Sequence, residues 1–300
     1  MMGDFKNLFS WSKSRDNIFQ FCKRKYYFRY YGYWGGWDKD SPAREIYILK
    51  NLVNRNIWIG QVVHELIKNL LLLYKVNMNI SLSNLLNRLH KKINQEFILS
   101  KAKTYRQFPK RFGLIEHEYD LLITKEEWKE FFDLAERCLE NFFNSDILQN
   151  IKKKDKTDWI FLEDFLSYNY ENTKIFLQMD FAMKEGKQIR IFDWKTGQER
   201  VDKKINLQLS SYAFYVLQKW EINPENIKVE LFNVNLDKSD SFIVTNEIID
   251  TITKYIQTSI FDMKSLLTDK NNNLADIKNF PLTENPKKCN TCNFKRLCGR

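Results

Sequence analysis

Residues 175–183 (IFLQMDFAM) and 189–194 (IRIFDW) are two short apolar runs flanking Glu185-Gly186-Lys187-Gln188, and each carries an aspartate where a sheet interior is expected. Rich in Ile, Phe and Met and joined by a turn-forming tetrapeptide, they predict an antiparallel hairpin. Side chains alternate along a strand, so Ile191, Asp193 and Lys195 share one face while Phe192 and Trp194 occupy the other. A charge buried in such a sheet is costly unless it is paired or bound to a metal. Asp180 and Asp193 therefore require a compensating group.

Composition narrows what that group serves. A chain of 300 residues with 43% hydrophobic and 15% aromatic content can bury one large core or two modest ones. The most apolar run, LIKNLLLLYKV at 66–76, contains two lysines and is too short to cross a bilayer. The N-terminus, MMGDFKNLFSWSKS, has no secretory hydrophobic core, so a cytoplasmic location with no membrane partner is expected. The formal charge of +10 suits a polyanionic partner. Lys23, Arg24, Lys25 and Arg29 are interleaved with Tyr26, Tyr27, Phe28, Tyr30 and Tyr31, as in a nucleic-acid-binding segment.

Along the chain the first two-thirds is mostly helical. Ser12 or Ser14 caps a helix expected to continue through about Tyr31, a second runs from about Ile59 to Tyr74, and residues 83–100 form a third. Thr124-Lys125-Glu126-Glu127 is a capping box opening a helix to about Asn144. Strands are then expected at 159–168, in the hairpin and at 227–235, with a helix at 206–220 before the last and another over about 246–267. The tail from Asn271 is polar and irregular and needs a tie to stay ordered. There is no phosphate-cradling Gly-x4-Gly-Lys-Ser/Thr loop, which argues against an ATP motor.

The cysteines offer the tie. Of the five, three form Cys289-x2-Cys292-x5-Cys298, Cys22 lies in the first expected helix, and Cys138 sits on an apolar helical face as ordinary core. In a reducing compartment such a cluster favours metal over disulfides. Four thiolates hold either zinc or an iron–sulfur cluster, and spacing alone does not choose. Two further pairs share helix faces: Gly60 with His64, where the small residue lets another backbone approach the histidine, and Gln208 with Tyr212.

The order Gly-x3-His, Asp, Asp-x-Lys, Gln-x3-Tyr, flanked by one early and three late cysteines, resembles the RecB-like branch of the PD-(D/E)XK nuclease superfamily. It looks closest to the AddB-type and CRISPR-associated RecB-type exonucleases, in which an iron–sulfur cluster fastens the nuclease domain. The resemblance implies one α/β nuclease domain over 1–300 with a restriction-endonuclease-like core, a mixed central sheet flanked by helices. It also implies a helical insertion at 76–150, a catalytic sheet and helix at 159–245, and an iron–sulfur module formed by 271–300 with the Cys22 region. By the same resemblance His64, Asp180 and Asp193 are metal ligands, Lys195 is catalytic, and Gln208 and Tyr212 position substrate. Cys22, Cys289, Cys292 and Cys298 would hold a 4Fe-4S cluster, with zinc as the alternative.

Phosphodiester hydrolysis accounts for the buried charges. It needs an activated water and charge relief on the phosphate, and hard divalent ions held by carboxylates supply both. Mg2+ or Mn2+ is the expected cofactor, a histidine ligand tilting the site towards manganese. Lys195 is suited to stabilise developing phosphate charge, with a structural Asp–Lys ion pair as the plainer alternative. Glu163, on the preceding strand, is a candidate to support the ligands from behind. The expected activity is a metal-dependent deoxyribonuclease working from an end or on single strands, in DNA repair, recombination or antiviral defence. The alternative is a catalytically silent nucleic-acid-binding subunit of a larger complex. DNA is the expected partner, with a separately encoded helicase, integrase or Argonaute as candidate companions.

Overall fold

The computed structural model describes residues 6–197 and 206–300. The first five residues of the N-terminal stretch read above lie outside them. Among the described residues no helix is long and apolar enough to cross a membrane.

Six strands among these residues build one mixed sheet: β1 (Ser10–Trp11), β2 (Trp159–Tyr170), β3 (Thr173–Glu185), β4 (Gln188–Lys195), β5 (Ile227–Asn233) and β6 (Lys238–Ile243). β2 pairs antiparallel with β3 along nearly its whole length, while the other edge of β3 is shared by β1, parallel at 174–175, and β4, antiparallel at 181–185. The expected hairpin is present, and Gly186, at φ +63°, opens the two-residue turn that closes it. β4 and β5 run parallel, which requires a crossover, and α9 (Leu207–Trp220) supplies it. β6 completes the sheet antiparallel to β5.

The helices between β1 and β2 are α1 (Lys13–Phe21), α2 (Lys23–Tyr27), α3 (Arg44–Lys50), α4 (Arg55–Lys75), α5 (Leu82–Lys101), α6 (Ile115–Glu118), α7 (Lys125–Asn144) and α8 (Asp146–Lys153). After β6 comes α10 (Asn246–Ser265). The capping box at Thr124 is formed with Glu127, as its spacing predicts. α4 buries Trp58, Ile59, Val62, Val63, Leu66, Ile67, Leu70 and Leu71, the i, i+3, i+4, i+7 stripe of a helix lying on a core. That stripe packs with α5, α7 and α8 against Phe181, Phe192, Trp194 and Phe232 on one face of the sheet. The opposite face, carrying Ile191, Ile189 and Val229, is covered by Leu209, Tyr212, Ala213 and Val216 of α9. Phe192 and Trp194 thus face away from Ile191, as alternation requires.

One helix departs from expectation. The segment 12–31 does not run through: Cys22 is extended (φ −165°, ψ 124°), separating α1 from α2, and Phe28–Gly32 then widens into a π-helix. The break leaves backbone groups without helical partners, and the C-terminal tail takes them up. Arg24 N donates to Pro281 O at 3.1 Å and Lys288 Nζ to Phe21 O at 3.0 Å. Phe280, wholly buried, packs among Tyr26, Tyr27 and Tyr31, and buried Phe294 against Phe28. The irregular tail is therefore held by aromatic burial as well as by any tie at the cysteines.

Phe142 of α7 carries the helical layer onto the strand of the site, its ring 5.0 Å from Trp194 and 6.4 Å from Phe232. Phe142→Ala leaves a cavity there and is expected to cost about 3–5 kcal/mol. Urea unfolding should show the midpoint falling with little change in slope.

Candidate active site

β3 and β4 part company at Phe181↔Phe192, the last pair of their ladder before the site, and β4 continues against β5 alone. Beyond that point the Trp194 N–H would lack a strand partner on the β3 side. The Asp180 carboxylate takes it instead, Oδ2 accepting at 2.7 Å. A buried backbone donor must be satisfied, so this bond both fixes the aspartate and holds the mouth of the split.

A second irregularity lies directly across. Leu162 and Leu166 belong to opposite cores although regular alternation would put both on one face, and the same is true of Met179 and Phe181. The change of face falls at Glu163 in β2 and Asp180 in β3, although the pairing itself runs on without a shift from Leu162↔Phe181 to Asp164↔Met179. Glu163 adopts φ +52°, a left-handed conformation costing a non-glycine residue about 1–3 kcal/mol. The change of face delivers both carboxylates, buried, to one spot.

His64 meets them from α4. Its Nδ1 is 3.2 Å from Asp180 Oδ1 and 3.3 Å from Glu163 Oε1. One ligand atom from each of His64, Glu163 and Asp180 lies within 4.8 Å of the others, and among the described residues this is the group so arranged. Glu163 is therefore beside the histidine rather than behind the ligands. Its other oxygen accepts from Gln178 Nε2 at 2.8 Å. Gly60, one turn before His64, faces the Thr196 side chain: a Cβ there would lie 3.3 Å from Thr196 Oγ1. The close approach it permits is by a side chain beyond β4, not by a backbone near the histidine.

Asp193 enters from the α9 side, fully buried. Lys195 Nζ stands 2.7 Å from its Oδ2 as a close ion pair, although the angles are not those of a hydrogen bond. Gln208, held at the start of α9 by the Asn206 cap, connects the group: it accepts from Lys195 Nζ at 3.0 Å and donates to Asp193 Oδ1 at 3.1 Å and Tyr212 OH at 2.6 Å. Burial, then the neighbouring Asp180 charge, pushes the Asp193 carboxyl up to about 6, against the pull of Lys195. Burial opposes charging His64, but Asp180 and Glu163 outweigh it and hold the imidazole well above its ordinary value. Burial, then the Asp193 and Asp180 charges, keeps the Tyr212 phenol protonated. Three buried carboxyls crowded beside an imidazole, Asp193 among them with its proton affinity raised, are a set that a divalent cation would satisfy better than protons do. The donors present fit Mg2+ or Mn2+.

These residues line a cleft of about 680 Å3 that reaches from α1 across α4 to α9. Among the described residues its lysines are Lys13, Lys68 and Lys195. Lys23, Arg24, Lys25 and Arg29 do not line it. Lys23 lies 3.1 Å above the Phe19 ring, Lys25 4.7 Å from that of Phe21, Arg24 Nε donates to Phe280 O at 2.7 Å, and Arg29 donates to Lys50 O. The basic aromatic segment is thus packed against the C-terminal tail. Among the cleft residues that escaped the sequence reading are Gln178, two positions before Asp180, and Lys68, one turn after His64, whose Nζ reaches Glu163 O at 3.5 Å. Strand and helix periodicity would have found both.

Of the cysteines, Cys22, Cys289 and Cys298 are half-buried and Cys292 is buried. Burial raises the Cys292 thiol and pushes Cys298 up to about 11; each also feels Cys22 and Cys289, with Lys25 beside Cys292 and Arg24 beside Cys298 favouring thiolate. Among the described residues no three of these sulfurs come within 4.8 Å of one another. Cys138, wholly buried in α7, is core, as expected.

Comparison with known proteins fits this geometry. A search of curated proteins finds no match. The family model of the PD-(D/E)XK nuclease superfamily matches residues 10–299, and a mixed sheet flanked by helices is its restriction-endonuclease-like fold. The chain belongs to the PD-(D/E)XK nuclease superfamily, whose members are generally metal-dependent hydrolases of phosphodiester bonds.

Proposed function

We propose that the protein is a Mg2+- or Mn2+-dependent deoxyribonuclease acting from ends or on single strands, its metal held by His64, Asp180, Asp193 and Glu163. The observation that carries this reading is the meeting of His64, Glu163 and Asp180 within 4.8 Å beside the Asp193–Lys195 pair, at the parting of β3 and β4. When bound, the cation supplies charge relief on the phosphate and makes water acidic enough to attack. Lys195, about a third exposed, brings its ammonium to the same cleft, where it can stabilise charge developing on the phosphoryl oxygens. Gln208 fixes that ammonium and Asp193 in one hydrogen-bonded array, and Tyr212 braces Gln208 from below. Gln208 and Tyr212 are in this reading positioning residues.

Incubating the protein with linear and circular, single- and double-stranded DNA in Mn2+ or Mg2+ separates exonuclease, endonuclease and inert binder. Asp193→Asn keeps the shape and removes the charge. It is expected to lower cleavage more than about 100-fold. Its melting temperature should stay at or above the parent's, because burial disfavours the carboxylate it replaces. Undiminished cleavage would remove Asp193 from the chemistry.

Protons and metal compete at this site. With its pKa raised, the Asp193 carboxyl adds stability in acid that is lost as pH rises through about 6. His64, also raised, gives up its proton when it becomes a ligand. The gain in melting temperature on adding Mn2+ should therefore be small below about pH 6 and grow above it. A gain independent of pH would place the ion elsewhere.

We also propose that Cys22, Cys289, Cys292 and Cys298 hold a 4Fe-4S cluster. No three of their sulfurs lie within 4.8 Å of one another, whereas thiolates on one zinc tetrahedron with 2.3 Å bonds would stand ~3.8 Å apart. Anaerobically purified protein should be brown, with iron and sulfide each at about four per chain. Cys22→Ala should bleach it and lower its thermal stability, whereas Cys138→Ala keeps the colour. One tightly held zinc in a colourless protein would refute the cluster and leave the tie.

A further inference from the structure

Between the catalytic cleft and solvent, the β2–β3 ribbon carries two phenylalanines for which the fold has no use. Phe165, on β2, is 70% exposed in mid-strand. Its ring stacks on that of Phe176 of β3, centroids 5.1 Å apart and planes 20° from parallel. Phe176 itself lines the cleft, as does Gln178, the residue paired with Phe165 across the strands. Phe176 is half-buried, so the stack presents the Phe165 ring to solvent at the edge of the cleft.

The pair's position indicates what it contacts. Phe176, Gln178 and Asp180 of β3 all line the cleft, so the stack stands four residues from the metal-binding aspartate, about 13 Å along the strand. A polymeric substrate whose scissile phosphate rests at Asp180 must run past this point. Lys174 Nζ is 5.1 Å from the Phe176 ring centroid, and Lys13 and Lys68 line the same cleft, so the surroundings favour a polyanion. We propose that Phe165 and Phe176 form a stacking platform for an unpaired base of the DNA strand being cut, a few nucleotides from the scissile phosphate. In a duplex both faces of a base are covered by its neighbours; only an unpaired base offers one to a side chain. The platform thus selects single-stranded DNA or frayed ends. This inference rests on the nuclease reading and assigns its substrate class.

Binding measured by fluorescence anisotropy tests it, in the full chain carrying Asp193→Asn so that the strand survives. The probes are a labelled single strand of about 12 nucleotides, within the usual site size of such proteins, the same strand with abasic sites at its centre, and the corresponding duplex. Phe165→Ala and Phe176→Ala should each weaken binding of the intact strand by about 5- to 150-fold, the range of one lost base stack. Both should bind the abasic strand as the parent does, melt near the parent's temperature, and leave duplex binding unchanged; Phe165→Trp should restore affinity. Variants that hold the intact strand as tightly as the parent, or that lose the abasic strand equally, overturn the platform. That result leaves the nuclease reading standing if the unmutated protein cuts DNA in Mn2+; an unmutated protein that neither binds nor cuts DNA overturns both.

Discussion

The hydrogen bond from Trp194 N–H to Asp180 is the hinge of the site. Two antiparallel strands that separate must leave backbone donors and acceptors bare, and in a sheet covered on both faces water cannot satisfy them. Here a side chain does so. The carboxylate that terminates the ladder is the one that meets His64, so the opening of the sheet and the gathering of the acids are one event. α4 approaches the gap from one face and α9 from the other. The residues they bring, His64 on one side and Gln208 with Tyr212 on the other, converge only because the strands between them have parted.

That arrangement is held under tension. Glu163 sits in a left-handed conformation, and Asp193 is buried beside Asp180. Neither feature helps the chain fold. Both are sustained by the surrounding aromatic packing, in which Phe142, Phe192, Trp194 and Phe232 lock α7 to the back of β4 and β5. A cation would relieve the crowding of the acids, which is why the same groups read as strain without it and as ligands with it.

Much of this was legible in the sequence because it follows from period. The hairpin, the opposed faces of Asp193 and Trp194, the Gly60–His64 and Gln208–Tyr212 pairs and the Thr124 capping box depend on spacings of two or four residues. What escaped lacks such a signature. β6 reads KSDSFI, polar and exposed as an edge strand, and offers no alternation. The break at Cys22 arises from contacts with the tail, more than 250 residues away, and local propensity favoured an unbroken helix. Glu163 was legible only as a candidate support for the ligands, because the left-handed backbone at its position has no signature in the strand pattern. The basic segment looked like a surface for nucleic acid because its aromatics and cations intermingle, yet the same composition serves a packed seam of Arg24, Tyr26, Phe280 and Lys288.

That seam has a bearing on how the molecule is made. α1 and α2 precede the sheet's longer strands, but the groups that complete them, Phe280, Pro281 and Lys288, come after all six described strands. Until then the N-terminal helices carry bare tyrosines and unfilled backbone positions. Contacts of such long sequence separation form slowly. Until the segment around residues 280–288 has been made and folded back, α1 and α2 lack these partners and the cleft that α1 walls is unfinished.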